Sequence, residues 1–258
     1  MEFRRIVSLN VCTDQLVLKV AQRHNIAALS FLAVDPKSSA SAEQAKGIPL
    51  IRGLVEEVIS FRPDIVFSGF QVNPAQIKLL KKFELKIIQV PVATNLKSIE
   101  DNIQIVANAL NLKSRGKKII REFRQTIKKY RERTPLSYKP VAALLWPNGL
   151  SSGRGTLPHS VIEKSGLRNL SALINSSKTN FLSIETLLLR NTDLLILGQP
   201  SPNPSLAHKY TEHSALRAKF TSKKKLFVAD NLWLCGTPDT AIAVGILSSF
   251  HGNPKNGN

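Results

Sequence analysis

The stretch VEEVISFRPDIVFSGF, Val55 to Phe70, holds one complete helix-turn-strand unit. LVEEVISF reads as a helix that Pro63 halts, because a residue before proline disfavours the helical region. DIVFSG is a short, continuous apolar run, the pattern of a strand covered on both faces. Glu56 stands at the start of the helix with no partner in the local sequence. Working outward, RRIVSL reads as a strand. CTDQLVLKVAQ follows as a helix, with Thr13 or Asp14 placed to accept a bond from an early backbone N–H. IAALS is a second strand. Asn73 and Pro74 open the helix PAQIKLLKKF, and LKIIQV is a strand that stops at Pro91. Strands alternating with helices indicate βα units and a mainly parallel sheet.

The rhythm changes after Thr94. SIEDNIQIVANAL is a helix with Ser98 as cap and Glu100 and Asp101 in its first turn, where the helix dipole favours them. Asn111 and Leu112 break it. A second helix runs from about Ser114 to Arg133 and ends before Pro135. Ile119, Ile120, Phe123, Ile127 and Tyr130 recur along it at three- and four-residue steps, as one apolar stripe. Twenty residues make a rod of about 30 Å. The βα rhythm then resumes. KPVAALLW is a strand, NGLSSGRGTLPHS a loop, SVIEKSG a helix, KKLFVAD a strand, LWLCGTP a loop and DTAIAVGILSSF a closing helix. The expected organisation is an α/β lobe over residues 1–93, a helical linker over 94–134 and a second α/β lobe over 135–258.

The opening unit has an echo. Glu56, Asp64 and Gly69 stand at spacing E-x7-D-x4-G, and Glu185, Asp193 and Gly198 repeat that spacing 129 residues later. In both copies a helix beginning at the glutamate leads into an apolar strand beginning after the aspartate. Two similar lobes are therefore expected, joined by the rod.

Composition bounds the chemistry. The 258 residues are 43% hydrophobic, enough for a real core, and no run of 18 apolar residues occurs. The net charge is +18, from 36 basic and 18 acidic residues. Between Lys113 and Lys139 there are 11 basic and two acidic residues, and 11 − 2 = +9, half of the surplus. A charge run of this kind is usually a solvated helix face. No GxGxxG, GxSxG, HExxH or other catalytic pattern appears, which argues against a Rossmann-like enzyme. The basic rod lacks interleaved aromatics, which argues against nucleic acid. The five histidines are scattered, so no protein-held metal centre and no cofactor is expected. Cys12 and Cys235 are the only cysteines. Their spacing leaves a single disulfide or two free thiols open, with free thiols favoured.

RRIVSLNVCTDQL, VEEVISFRPDIVFSG, the central helix and NLWLCGTPDTA together resemble the substrate-binding proteins of ABC importers for cobalamin, ferric siderophores and haem. That class has two Rossmann-like lobes joined by a long backbone helix, the class III periplasmic binding protein fold. The resemblance spans Arg4 to about Phe250. It implies a periplasmic monomer that captures a metal chelate or corrinoid between its lobes. Its partners would be the permease and ATPase subunits, and it would touch the membrane only through that complex. It also implies that Glu56 and Glu185 dock the two lobes onto arginine pockets of the permease. MEFRRIVSLNV carries a basic pair without the apolar core of a signal peptide, so the compartment rests on the resemblance.

Ligands of α/β sheets sit beyond the carboxyl ends of the strands. In the first lobe those ends offer Asn10, Cys12, Thr13, Asp14, Gly69, Phe70 and Gln71. In the second they offer Trp146, Arg154, Gly155, Thr156 and Trp233. Phe70, Trp146 and Trp233 would give flat apolar walls for a macrocycle, and Arg154 would meet an anionic group of the ligand.

Overall fold

The computed structural model describes residues 5–69, 72–132, 138–174, 177–199 and 206–252. Two compact units emerge. The first comprises Met1–Ala93, Lys97–Phe123 and Leu234–Asp239, and the second Thr94–Leu96, Arg124–Trp233 and Thr240–Asn258. The helical segment is divided between them at Phe123.

The first unit contains β1 (Ile6–Ser8), α1 (Val11–Val20), β2 (Ile26–Ser30), α2 (Ala42–Ala45), β3 (Leu50–Ile51), α3 (Val55–Ser60), β4 (Ile65–Gly69), α4 (Pro74–Lys82) and β5 (Ile87–Val90). Its strands form one five-stranded sheet in the order β3-β2-β1-β4-β5. Every pairing is parallel. Ile65, Val66 and Phe67 of β4 are all fully buried, so the unbroken apolar run reflects a strand covered on both faces. Val7, Ala28, Ile51, Val58, Val66 and Leu80 pack as one core. Asn73 caps α4 as expected, its side chain accepting from the Ala75 N–H at 2.9 Å.

Two expected caps were misplaced. Asn10, not Thr13 or Asp14, caps α1, its Oδ1 accepting from the Cys12 N–H at 2.9 Å. Helix start signals are accurate only to a few residues, and asparagine serves as well as aspartate at the cap. Asp14 is turned into the sheet instead. Similarly α5 (Leu96–Ala109) begins two residues before Ser98, which lies within the helix.

α6 (Lys113–Glu132) is a continuous 20-residue helix, and Arg133 lies outside the described residues. Asn111 takes φ 60° at the break between α5 and α6, a left-handed turn that asparagine tolerates. Glycines let α6 approach its neighbours closely. A Cβ on Gly116 would lie 2.5 Å from the Ala107 Cβ of α5 in the first unit. In the second unit the Tyr130 ring lies where a Cβ on Gly245 would meet it at 2.6 Å.

The second unit holds β6 (Val141–Leu145), β7 (Leu150–Ser152), α7 (Leu157–Lys164), β8 (Arg168–Asn169), α8 (Leu170–Leu173), β9 (Thr179–Phe181), α9 (Ile184–Leu189), β10 (Leu194–Leu197), α10 (Ser214–Lys219), β11 (Lys225–Phe227) and α11 (Thr240–Ser248). Its main sheet runs β11-β10-β6-β8 and is parallel. The expected loop NGLSSGRGTLPHS contains β7, which pairs antiparallel with β9. A three-residue strand with two serines gave no strand signal. Ala143, Leu145, Leu187, Leu195, Leu216 and Phe220 anchor this unit's core.

The repeated aspartate and glycine now have structural roles. The Asp64 N–H donates to the Arg5 carbonyl at 2.9 Å, and Asp64 Oδ2 accepts from the Arg5 N–H at 3.0 Å. Likewise the Asp193 N–H donates to the Val141 carbonyl at 2.8 Å, and Asp193 Oδ2 accepts from the Val141 N–H at 2.7 Å. In each unit the aspartate clamps the mouth of the first strand to its parallel neighbour. A Cβ on Gly69 would lie 3.2 Å from the Asn10 side chain, and one on Gly198 would lie 3.1 Å from Asp230 Oδ2. Each glycine leaves room for a polar side chain at a strand's carboxyl end.

Candidate functional site

At the carboxyl ends of β1, β4 and β5 the first unit has a cavity of about 130 Å³. Asn10, Cys12, Thr13 and Gly69 line it. They are joined by an apolar set, Leu16, Val90, Pro91, Val92 and Leu234, and by Asn102. The cap geometry decides what Asn10 can offer. Its Oδ1 is held by the Cys12 N–H, so its Nδ2 is the outward donor, and it carries no bond to a described residue. Thr13 Oγ1 donates to the Asn10 carbonyl at 2.9 Å and meets Ser8 Oγ at 2.7 Å, which fixes the wall behind Asn10. Asn102 Nδ2 donates to the Pro91 carbonyl at 2.8 Å and shapes the turn after β5. Its only sequence signal was an asparagine among Ile99, Ile103 and Val106, all fully buried.

Cys12 and Cys235 are disulfide-bonded, with Cα atoms 5.0 Å apart. The preference for free thiols rested on placing the two cysteines on different lobes. The strap Leu234–Asp239 belongs to the first unit, so the bond lies within that unit and forms part of the cavity wall. A second tether, the Lys19–Asp239 ion pair at 3.0 Å, holds the strap two turns further along α1.

Asp14 does not reach the cavity as a free group. It is fully buried and accepts from Ser30 Oγ at 2.5 Å and from the Ser30 N–H at 3.2 Å. Burial pushes its carboxyl up to about 7, against the lowering effect of these hydrogen bonds. Phe70 and Gln71 lie outside the described residues.

In the second unit Trp146 follows β6 and is half-buried, its Nε1 donating to Asp230 Oδ1 at 2.8 Å. Trp233 stands edge-on to it, with ring centroids 6.3 Å apart. At 3% exposure Trp233 is core that braces Trp146, so it supplies no wall of its own. Arg154 and Gly155 are exposed in the loop after β7. The Arg154 carbonyl is pinned by the Lys178 N–H at 2.8 Å, and Gly155 takes φ 80°, a left-handed turn that suits glycine. Thr156 caps α7 by accepting from the His159 N–H at 3.3 Å.

Glu56 and Glu185 are both exposed on the first turns of α3 and α9. The capping work in α3 falls to Glu57, whose Oε2 accepts from the Arg52 and Leu54 N–H groups. Glu56 makes no side-chain bond with a described residue. Ser183 caps α9. The Glu185 carboxyl is held below its usual range by its own backbone N–H and by the Ser183 hydroxyl. Among the described residues no three His, Cys, Asp or Glu side chains converge to hold a metal ion.

Two parallel-sheet α/β units, a backbone helix shared by both and a strand-end cavity define a two-lobed binding protein. The family model described as "Periplasmic binding protein" matches residues 6–231, and the chain belongs to that family. Among solved structures it resembles the periplasmic heme-binding protein RhuT from Roseiflexus sp. RS-1, at 18% identity and TM-score 0.78 over 96% of this chain and 98% of that one. It also resembles the periplasmic vitamin B12-binding protein BtuF of Vibrio cholerae, at 17% identity and TM-score 0.71 over 97% of each chain. At these identities the likeness establishes the fold. A vitamin B12-binding protein of Vibrio parahaemolyticus is 27% identical over 158 residues, which span 56% of each protein.

Proposed function

We propose that this chain is the substrate-binding component of an ABC importer, acting in the periplasm. It captures a cobalamin, ferric siderophore or haem and hands it to a permease–ATPase complex. The observation that carries the reading is the cavity at the strand ends of the first unit. Among the described residues its walls are mostly apolar and carry no charged side chain, and Asn10 Nδ2 is its outward donor. That chemistry suits the rim of a large, largely apolar macrocycle or chelate better than a bare ion or a phosphate. At about 130 Å³ the cavity is smaller than the roughly 300–1,000 Å³ that a whole small-molecule ligand fills, so it grips an edge of a larger one. The family membership and the haem- and B12-binding relatives support the same class. Work of this kind is capture, with no bond made or broken.

Glu56 and Glu185 are the proposed contacts with the permease. Both are exposed at matched positions, and neither caps its own helix. Charge-assisted bonds from arginines on a partner would give orientation as well as attraction.

A thermal-shift screen with cyanocobalamin, haemin and a ferric siderophore, read together with the visible spectrum of the purified protein, tests the ligand class. One of the three should raise Tm, since a ligand that binds only the folded state stabilises it. No response to any of them would move the assignment to another organic ligand. Replacing Glu56 and Glu185 together by alanine should leave that Tm rise intact and abolish transport in cells; unchanged uptake would sink the docking role.

A further inference from the structure

The described cavity lining carries no charged side chain, so the basic surplus lies elsewhere, and its densest part is laid out along α6. On α6, at 100° per residue, Lys113, Lys117, Arg121, Arg124 and Lys128 fall within an arc of about 80°. They run along about 22 Å of helix. All five are exposed, while Gly116, Phe123 and Ile127, centred about 100° further around the helix, are buried. No acidic residue lies within the arc. Glu132 pairs with Lys128 at 3.6 Å at the far end, and Glu122 pairs with Lys118 at 3.9 Å on the flank. Successive ridge residues sit closer together than the screening length of about 8 Å at physiological salt, so their fields add.

We propose that this ridge is a docking surface for a bilayer rich in anionic glycerophospholipid. It would hold the protein against the membrane in which its permease sits. The ridge carries no aromatic side chain on which a base could stack, which disfavours single-stranded nucleic acid. It carries no apolar side chain that could insert, so the contact is with headgroups alone and is labile to salt. Family membership places the chain in a compartment bounded by phospholipid. The inference does not depend on which small ligand is carried.

The test is co-sedimentation of the full chain with unilamellar vesicles of phosphatidylcholine alone and of phosphatidylcholine mixed with phosphatidylglycerol. Binding should need phosphatidylglycerol and vanish at high salt. The triple variant Lys113→Glu, Lys117→Glu, Arg121→Glu should bind about 100-fold more weakly, taking roughly a fivefold gain for each basic residue at an anionic surface. A control triple, Lys78→Glu, Lys164→Glu, Lys223→Glu, makes the same change in net charge at exposed sites outside α6. It should lose less than tenfold. Glutamine in place of glutamate at the same two sets of positions should keep this ranking if either acidic triple folds poorly. Equal losses in the two triples, binding to pure phosphatidylcholine, or tighter binding to duplex DNA than to the mixed vesicles would each overturn the proposal.

Discussion

The two units open their central strands in the same way and close them differently. Asp64 and Asp193 make the same reciprocal pair of backbone bonds with Arg5 and Val141. At the other end of the sheet the space beside the matched glycine is used in two ways. In the first unit Asn10 fills it, holds its own helix start, and leaves an amide facing a cavity. In the second Asp230 fills it and ties down the Trp146 indole. The start of a parallel strand is a fixed geometric problem with one economical answer, while the carboxyl end is where the chain is free to vary. The glutamates belong to neither end. They differ in helix cap and local bonding, yet both stay at the surface, which leaves them accessible for the proposed docking.

Removing the disulfide should break the symmetry most. The bond lies in the first unit and closes a span of 223 residues, and the chain-entropy argument puts its contribution at up to about 5 kcal/mol. Both tryptophans of the chain, Trp146 and Trp233, lie in the second unit. In a Cys12→Ser, Cys235→Ser protein, thermal melting followed by far-ultraviolet circular dichroism should gain an early phase. Melting followed by tryptophan fluorescence should shift little. A coincident shift in both signals would show that the units do not melt separately. Because Cys12 and Cys235 line the cavity, the same variant should also lose most of its ligand-induced Tm rise.

Among the described residues Asp14 has no buried acidic counterpart in the second unit. Its folded pKa of about 7 lies above its unfolded value near 4, so between those limits the native state holds a proton that the unfolded state releases. Stability should therefore be highest on the acid side of this window and decline as pH rises to about 7, by on the order of 4 kcal/mol. Asp14→Asn keeps the hydrogen-bonding shape without the charge. Denaturant melts of this variant should be flatter than wild type from pH 5 to pH 8; an unchanged slope would assign the effect to other groups.

The two clamps should then separate in strength. Asp193 also accepts from the Tyr138 hydroxyl at 3.0 Å, whereas Asp64 forms a partly exposed ion pair with Arg5 at 3.5 Å. Asp193→Ala should cost about 2–3 kcal/mol, as it strands a part-buried strand N–H. Asp64→Ala should cost about 1 kcal/mol. Urea denaturation of the two variants checks the order. The smallest effect is expected at Gly69. An alanine there crowds the Asn10 side chain at 3.2 Å, so Gly69→Ala should weaken ligand binding severalfold in a titration with little change in Tm.

Local pattern made much of this legible. Pro63 ended α3 and the apolar run after Asp64 gave β4, because helix stop signals and double-sided burial are written in contiguous residues. The rod was legible from its three- and four-residue stripe. The E-x7-D-x4-G echo was visible, but only the paired bonds to Arg5 and Val141 show that its aspartate is structural. Part of the cavity was foreseeable, since Asn10, Thr13 and Gly69 stand at or just after the ends of strands that the pattern located. Val92, Asn102 and Leu234 were not, because they come from segments whose meeting depends on long-range packing.

By itself, then, the sequence determined the alternation of elements, the parallel sheets, the long helix and the matched glutamates. Each of these follows from periodicity, turn residues and charge over a few neighbouring positions. Tertiary structure alone decided that Asn10 is the cap, that Asp14 is buried and Trp233 inside, and that residues 234–239 fold onto α1. The last of these brought Cys235 to Cys12 across 223 residues, a proximity that no local pattern encodes.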